Sequence, residues 1–383
     1  MKILIVSEST LPRVISGVSV FTAQLTDQLV RHQHEVRIFT NSPKLRAIVT
    51  VHPHTKIYAF ASLPNPFRKN LRFAVPTSRV RTVLEQERPD IIHCQDPGPL
   101  AKRTIREARA LGIPIILTNH FTFIQLEHYF PAFLRRTLLR RVIKYLRALY
   151  RQADLITCPS EFVKQMLERA GIRTEIVVVS NGIDVKRFRK APPPRFQTPT
   201  ILSVGRIDPE KRIDILIRAA ELVRQKLPKA KFIFIGGGNQ LERYRALVRR
   251  RGLTEAINFI GPLRPEQRRL TQYYQRSWLF WLGSKAEAQG IVFMEAMAAG
   301  LPCLAHSEGG AREVIRPGIT GYLLPRGSAR EFADRAIQLL TDRARLRQLS
   351  QRCRVEADRF AINHTLAEFE KLYRLLVTRR LRT

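Results

Sequence analysis

The chain has few cysteines and keeps them apart. Cys94, Cys158, Cys303 and Cys353 are the only four, and no two lie within a few residues of each other. This excludes the close spacings of zinc sites and of dithiol redox motifs. Such scatter among apolar neighbours reads as reduced thiols in a cytosolic protein. Asp-x-Asp is absent, so no carboxylate pair of the metal-holding kind is offered and no metal is expected. No apolar run approaches the about 18 residues that cross a bilayer. The opening Met-Lys-Ile-Leu-Ile-Val is too short for a signal peptide and lacks a small-residue cleavage site, so it reads as a first buried strand. Acidic residues are scarce: 32 Asp and Glu stand against 66 Lys and Arg, a net charge of +34. A field of that size needs an anionic partner, whether nucleic acid, anionic lipid or charged substrate. Nothing resembles an RRM core, a zinc finger or a basic zipper, so nucleic acid has no reading motif here. The expectation is a soluble or peripheral protein.

What is present is 383 residues, 44% of them hydrophobic, enough for two domains. Short β-branched runs alternate with longer amphipathic stretches. In the first half they are Lys2–Val6, Glu35–Thr40, Asp90–Cys94, Ile113–Thr118, Asp154–Cys158 and Glu175–Val179. In the second they are Thr200–Val204, Ala230–Ile235, Ile257–Ile260, Trp278–Leu282 and Pro302–Ala305. These read as buried parallel strands with helical crossovers, an α/β doubly wound plan. The pattern restarts near residue 200, after the stiff Ala191-Pro192-Pro193-Pro194. The expected layout is a Rossmann-like domain over 1–190, a second over 191–362, and a helix over 363–383 that closes on either domain. Two such domains facing a cleft would take ligands at the carboxyl ends of both sheets.

The most informative stretch is Glu287-Ala288-Gln289-Gly290-Ile291-Val292-Phe293-Met294-Glu295. It follows one strand run and opens an apolar helix. Gly290 lets backbone approach a ligand closely, and the amides of Ile291 and Val292 form a helix start that favours polar or anionic groups. Glu287 and Glu295 are either ordinary solvated carboxylates or two acceptors for sugar hydroxyls. Arg206 ends a strand run and Lys211 opens the next helix, placing two cations at a sheet's carboxyl edge; the alternative for both is solubilising surface charge. Gly236-Gly237-Gly238-Asn239 follows a strand run but is no complete dinucleotide fingerprint.

The stretch from Ser284 to Pro302, with Glu287 and Glu295 eight residues apart, resembles the E-x7-E signature of glycosyltransferase family 4, which has the GT-B fold. Gly309-Gly310-Ala311-Arg312-Glu313-Val314, Gly318-Ile319-Thr320-Gly321-Tyr322-Leu323, Val204-Gly205-Arg206-Ile207-Asp208-Pro209-Glu210-Lys211 and Asn181-Gly182-Ile183-Asp184 follow the family pattern in order over nearly the whole chain. The resemblance implies a retaining, metal-independent transfer of a hexose from a nucleoside-diphospho-sugar. It implies that Glu287 holds hydroxyls of the donor hexose, that Ile291 and Val292 offer backbone contacts, and that Glu295 binds ribose hydroxyls. Arg206 and Lys211 would then neutralise the diphosphate, and Gly17 would approach it or is a turn residue; Gly236 and Gly290 are further candidate donor contacts. Ile260 and Leu263 lie in the loop matching the base side. His120, in Thr118-Asn119-His120-Phe121, matches a histidine near the sugar 6-hydroxyl, or is a structural histidine. Asp96 and Asn119 are candidate acceptor contacts.

Residues 134–151 divide into an apolar half and a basic half bearing Arg136, Arg140, Lys144 and Arg147. The apolar half is expected to pack on the sheet, leaving the basic half to solvent or to anionic lipid. Pro64–Phe73, read as a loop, carries Phe67, Arg68 and Lys69 and is either solvated or a second membrane contact. Glu-Ala-Gln-Gly at 287–290 and Thr118–Phe121 resemble members that glycosylate diacylglycerol or phosphatidylinositol, although many relatives have an aromatic where Gln289 stands. The partners expected are therefore a nucleotide sugar, UDP-glucose favoured over GDP-mannose, and a lipid acceptor at the inner face of the membrane. A soluble or polysaccharide acceptor is the alternative, and a non-catalytic nucleic-acid-binding protein the remote one.

Overall fold

The computed structural model describes residues 1–10, 16–42, 48–52, 54–65, 68–75, 78–127, 130 and 133–381. The chain forms two compact units, Met1–Gly182 with Ile362–Thr383 and Ile183–Ala361.

The first unit contains β1 (Lys2–Val6), β2 (Glu35–Asn41), β3 (Ile48–His52), β4 (Thr55–Phe60), β5 (Ser62–Asn65), β6 (Arg68–Ala74), β7 (Ile91–Cys94), β8 (Ile115–Thr118), β9 (Leu155–Cys158) and β10 (Ile176–Val178). Eight of these form one sheet in the order β10-β9-β8-β7-β1-β2-β4-β3. It is parallel except where β3 runs antiparallel to β4 at the edge. Residues 3–6 of β1 are buried, as a central strand covered on both faces requires. Strand β2 lies to one side of β1 and β7 to the other, so chain order reverses between β1 and β7.

The second unit contains β11 (Thr200–Val204), β12 (Lys231–Ile235), β13 (Ile257–Gly261), β14 (Leu279–Leu282), β15 (Cys303–His306) and β16 (Gly321–Leu324). Its sheet is parallel throughout, in the order β13-β12-β11-β14-β15-β16. Here the reversal falls between β11 and β14. Its core is stacked aromatics and aliphatics, with Phe232 on Trp281 at 5.3 Å and Phe280 edge-on to Phe293 at 5.7 Å.

The structure departs from the sequence expectation in three places. The segment expected as a basic loop at 64–73 is mostly strand: β5 and β6 pair antiparallel, with Leu63 opposite Phe73. Strands β3, β4 and β16 were not among the expected runs: Thr50 breaks the apolar residues of β3, and the apolar parts of β4 and β16 are the short Ile57–Phe60 and Tyr322–Leu324. The division between units falls at 182/183, eight residues ahead of the proline run, since Val185 and Phe188 are buried in the second unit's core and Phe188 meets Tyr274 edge-on at 5.5 Å. The terminal helix Ile362–Leu381, expected to close on either domain, belongs to the first unit.

That helix is fastened by buried polar contacts. Burial lowers the His93 imidazole to about 3, so the neutral ring donates from one nitrogen and accepts at the other. It joins the Tyr373 hydroxyl at 2.7 Å to Thr118 Oγ1 at 2.6 Å. Glu370 of the same helix lies 3.0 Å from both His32 and His34. All four cysteines are buried thiols. Among the described residues, no helix is long and apolar enough to cross a membrane.

Candidate active site

The reversal between β11 and β14 is where an open α/β sheet leaves a crevice at its carboxyl end. Strand β11 leads into Gly205 and Arg206, and a 3-10 turn at Pro209–Lys211 follows. Strand β14 leads into the loop that carries Ser284 and Glu287. Across the reversal, the Lys211 ammonium donates to Glu287 Oε1, and both side chains are only 10% exposed. Burial alone would raise the Glu287 carboxyl. The Lys211 charge and hydrogen bond outweigh it, helped by Ser284 and Arg206, and hold Glu287 below the ordinary glutamate value. Arg206 donates to Asp208 Oδ2 through Nη1 and to Glu210 Oε1 through Nη2. The two expected cations are therefore present, but each already has a carboxylate partner.

The helix Ile291–Ala299 starts beside this pair. Its N-cap, Gly290, has φ 93°, a left-handed conformation that a β-carbon disfavours, and the Phe293 ring fills the space a side chain would need. The first-turn amides of Ile291 and Val292 have no acceptor within the helix, as at any helix start. Glu295 lies one turn in, buried, and accepts from the Tyr274 hydroxyl at 2.7 Å. Burial pushes its carboxyl up to about 7, against the Tyr274 bond and the Arg187 charge. Gly236 sits against the Gly205 carbonyl, too close for any side chain. Ile260 and Leu263 are half-buried at the end of β13 and just past it. Among the described residues, no three His, Cys, Asp or Glu side chains converge as metal ligands would.

The first unit gathers a second group at the β1/β7 reversal. His120 packs on Phe21 at 5.1 Å, and its Nε2 lies 2.9 Å from Gln95 Oε1. Burial lowers the ring to about 3, so it is neutral near pH 7. Asp96 does not present itself to an acceptor. Its Oδ2 accepts from the Ser7 hydroxyl at 3.0 Å and from the Glu8 amide at 2.9 Å, and its Oδ1 is buried. Burial and the neighbouring Asp96 push Glu8 up to about 8, so this carboxyl pair keeps a proton near neutral pH. Glu8 also accepts from the amides of Ala74 and Leu100, each at 3.1 Å.

Asn119 is likewise committed. It is fully buried, accepts from the Tyr150 hydroxyl at 2.7 Å and donates to the Phe121 carbonyl at 2.7 Å. An acceptor contact through its side chain would have to break one of these bonds. Replacing Asn119 with alanine is expected to destabilise the protein by about 1–3 kcal/mol, because the buried Tyr150 hydroxyl loses its acceptor; urea denaturation measures it. Gly17 is the first residue of the helix Gly17–Arg31, which Ser16 and Ser19 cap reciprocally.

Of the membrane candidates, Arg136, Arg140 and Lys144 are exposed on the helix Arg135–Tyr150. Arg147 is exposed as well, and its Nε donates to the Ala170 carbonyl. Only Leu146, Leu149 and Tyr150 of this helix are buried, fewer than its apolar half predicts. Just before it, Phe133 is 84% exposed, with Leu134 also exposed. Phe67 lies outside the described residues, and Arg68 and Lys69 fall on β6. The cross-strand pair Leu63 and Phe73 is exposed.

Family models divide the chain much as the fold does. Residues 15–187 match "Glycosyltransferase Family 4", and residues 184–356 match "Glycosyl transferases group 1". The chain is a family 4, group 1 glycosyltransferase. The structure of this glycosyltransferase is similar to the sucrose-phosphate synthase of Thermosynechococcus elongatus, with a TM-score of 0.80 at 20% identity, covering 98% of this chain and 99% of that one. That likeness establishes the GT-B fold. In sequence the glycosyltransferase is 27% identical to the sulfoquinovosyl transferase SQD2 of Arabidopsis thaliana, over 80% of this chain and 60% of that protein. It is 28% identical to the alpha-monoglucosyldiacylglycerol synthase of Streptococcus pneumoniae, over 84% of this chain and 75% of that protein. The chain thus spans about three-fifths of the first of these relatives.

Residues that contact the candidates and that sequence reasoning assigned no role are Asp208, Glu210 and Tyr274 in the second unit of this glycosyltransferase, and Glu8 and Gln95 in the first. Asp208 and Glu210 stand two and four residues after Arg206. That alternation of sign was a usable signal for partners on one short turn.

Proposed function

We propose that this glycosyltransferase moves a hexose from a nucleoside-diphospho-sugar, UDP-glucose favoured, to a lipid acceptor such as diacylglycerol, with retention of anomeric configuration and without a metal ion. The observation that carries the reading is the Lys211–Glu287 pair, buried beside Arg206 at the second unit's strand reversal. A departing nucleoside diphosphate gains negative charge as the glycosidic bond breaks. Fixed cations favour that state over the ground state, which is how cationic side chains replace a metal. Glu287, held ionised, accepts from sugar hydroxyls, and Glu295 takes the ribose hydroxyls. The name of one relative, an alpha-monoglucosyldiacylglycerol synthase, supports a lipid acceptor. The experiment is a panel of nucleotide sugars incubated with total lipid extract and chelator, read by lipid mass analysis. A new hexosyl lipid is expected with chelator present. Activity lost to chelator and restored by magnesium overturns the metal-free reading, and transfer only to water-soluble acceptors overturns the lipid reading.

The basic face of the helix Arg135–Tyr150 is the proposed membrane contact, with Phe133 and Leu134 at its start as the apolar element. Each cation near an anionic surface contributes about 1 kcal/mol. Changing Arg136, Arg140 and Lys144 together to glutamate is expected to abolish co-sedimentation with anionic vesicles, while the thermal midpoint stays unchanged because all three are exposed.

A further inference from the structure

The site pairs two cations, Arg206 and Lys211, with three carboxylates, Asp208, Glu210 and Glu287. A site built only to collect anions would not carry that surplus of negative charge. Glu287 has its own role in the proposed function, but Asp208 and Glu210 have none, and both are buried while Arg206 keeps an exposed side. Glu210 is the more telling of the two. Its side chain is 1% exposed, and its second carboxylate oxygen is buried with no partner among the described residues. A buried carboxylate is costly unless its partner is well placed, and the cation that Glu210 meets is Arg206. Asp208 binds on both sides. One oxygen takes Arg206, and the other accepts from the Asn239 amide at 3.0 Å, tying the glycine-rich loop after β12 to the same turn. One guanidinium nitrogen is thus anchored to each carboxylate, which fixes both the position and the plane of the group. A planar fork can be held in this way and a point-charge ammonium cannot.

We propose that Asp208 and Glu210 are positioning residues: they hold the Arg206 guanidinium in a single orientation toward the departing diphosphate, at the expense of ground-state affinity for that anion. This rests on the proposed function, in which Arg206 faces the diphosphate. Two opposed effects follow. The carboxylates lower the local positive potential and so weaken binding of a free pyrophosphate. They also fix the cation where charge develops, and so raise turnover. A carboxylate that only stabilised the turn would move both quantities in the same direction, or neither.

The test uses the full-length protein, inorganic pyrophosphate as the binding probe and whichever donor the nucleotide-sugar panel identifies for turnover. Glu210→Gln, which keeps shape and removes charge, is expected to tighten pyrophosphate binding in calorimetry about tenfold and to lower kcat by about tenfold. Asp208→Asn, measured in the same two assays, covers the case in which the first variant does not fold. In an Arg206→Ala background, Glu210→Gln is expected to lower kcat no further, because its effect runs through Arg206. If Glu210→Gln and Asp208→Asn weaken pyrophosphate binding together with kcat, or change neither, the positioning role is overturned. It is overturned equally if their effect on kcat persists without Arg206. If Arg206→Ala itself leaves pyrophosphate affinity unchanged, the proposed function fails instead.

Discussion

Changing Glu287 to alanine is expected to lower sugar transfer by about a thousandfold, the scale of losing one pre-aimed polar group at a reacting centre. The same change leaves the Lys211 ammonium buried and unpaired, which costs about 3 kcal/mol. The Glu287 carboxyl is held below 4.5 in the folded protein. Its stabilising contribution is therefore present above 4.5 and lost as pH falls through the folded value. Inorganic pyrophosphate should restore part of the lost stability in the alanine variant, because the anion gives Lys211 a new partner. Thermal denaturation with and without pyrophosphate reads the stability, and donor turnover reads the chemistry. Near-wild-type turnover would remove Glu287 from the site. A normal midpoint that ignores pyrophosphate would show that the ion pair contributes nothing to stability.

Changing Glu295 to glutamine is expected to stabilise the protein while weakening donor binding. Burial raises this carboxyl from 4.5 to about 7. Between those values the folded chain binds more protons than the unfolded chain, so the wild type loses stability as pH rises. The loss reaches about 3 kcal/mol above pH 7, at 1.36 kcal/mol for each unit. Glutamine carries no such charge. Its advantage over wild type should be small below pH 4.5, grow through pH 7 and stay level beyond. Urea denaturation across that range measures it. The accompanying rise in donor KM should be largest above pH 7, where the wild-type carboxylate is ionised and accepts two ribose hydroxyls. A glutamine variant less stable than wild type at pH 8 would mean that Glu295 is satisfied as an anion by its surroundings. The sacrifice of stability for a buried acceptor is what a binding role at this position predicts.

Much of the fold was legible in the sequence because buried parallel strands are short, apolar and β-branched, a pattern that water imposes on any strand covered on both faces. All eleven of the strands expected from such runs are strands of the structure, within two residues at either end. Three of the strands that were not legible lie where this pressure is weaker. Strand β3 is an antiparallel edge, and the β5–β6 hairpin stands apart from both main sheets. The division between units was misplaced by eight residues because a proline run marks where the backbone is stiff, whereas Phe188 marks where the second core begins.

The candidate site was legible as residue types and order, less so as partnerships. Glu287, Glu295, Arg206 and Lys211 all stand at or beside the β11/β14 reversal, where the strand pattern puts them. That Lys211 pairs with Glu287 could not be read from a separation of 76 residues, and the same holds for Tyr274 reaching Glu295. Asn119 and Asp96 follow their strands as acceptor contacts would, yet the structure turns both inward to hydrogen-bond partners.

Local pattern was enough to specify two α/β units, the ordered motifs of a glycosyltransferase family and a strongly basic surface. Apolar periodicity and charge depend on neighbours along the chain, so a linear reading reaches them. Which strands meet at each reversal, which carboxylate neutralises which cation, and the return of the terminal helix to the first unit emerged only on folding. Those outcomes are set by packing between segments far apart in sequence, where burial and the satisfaction of polar groups select among arrangements that the chain's local chemistry leaves equally open.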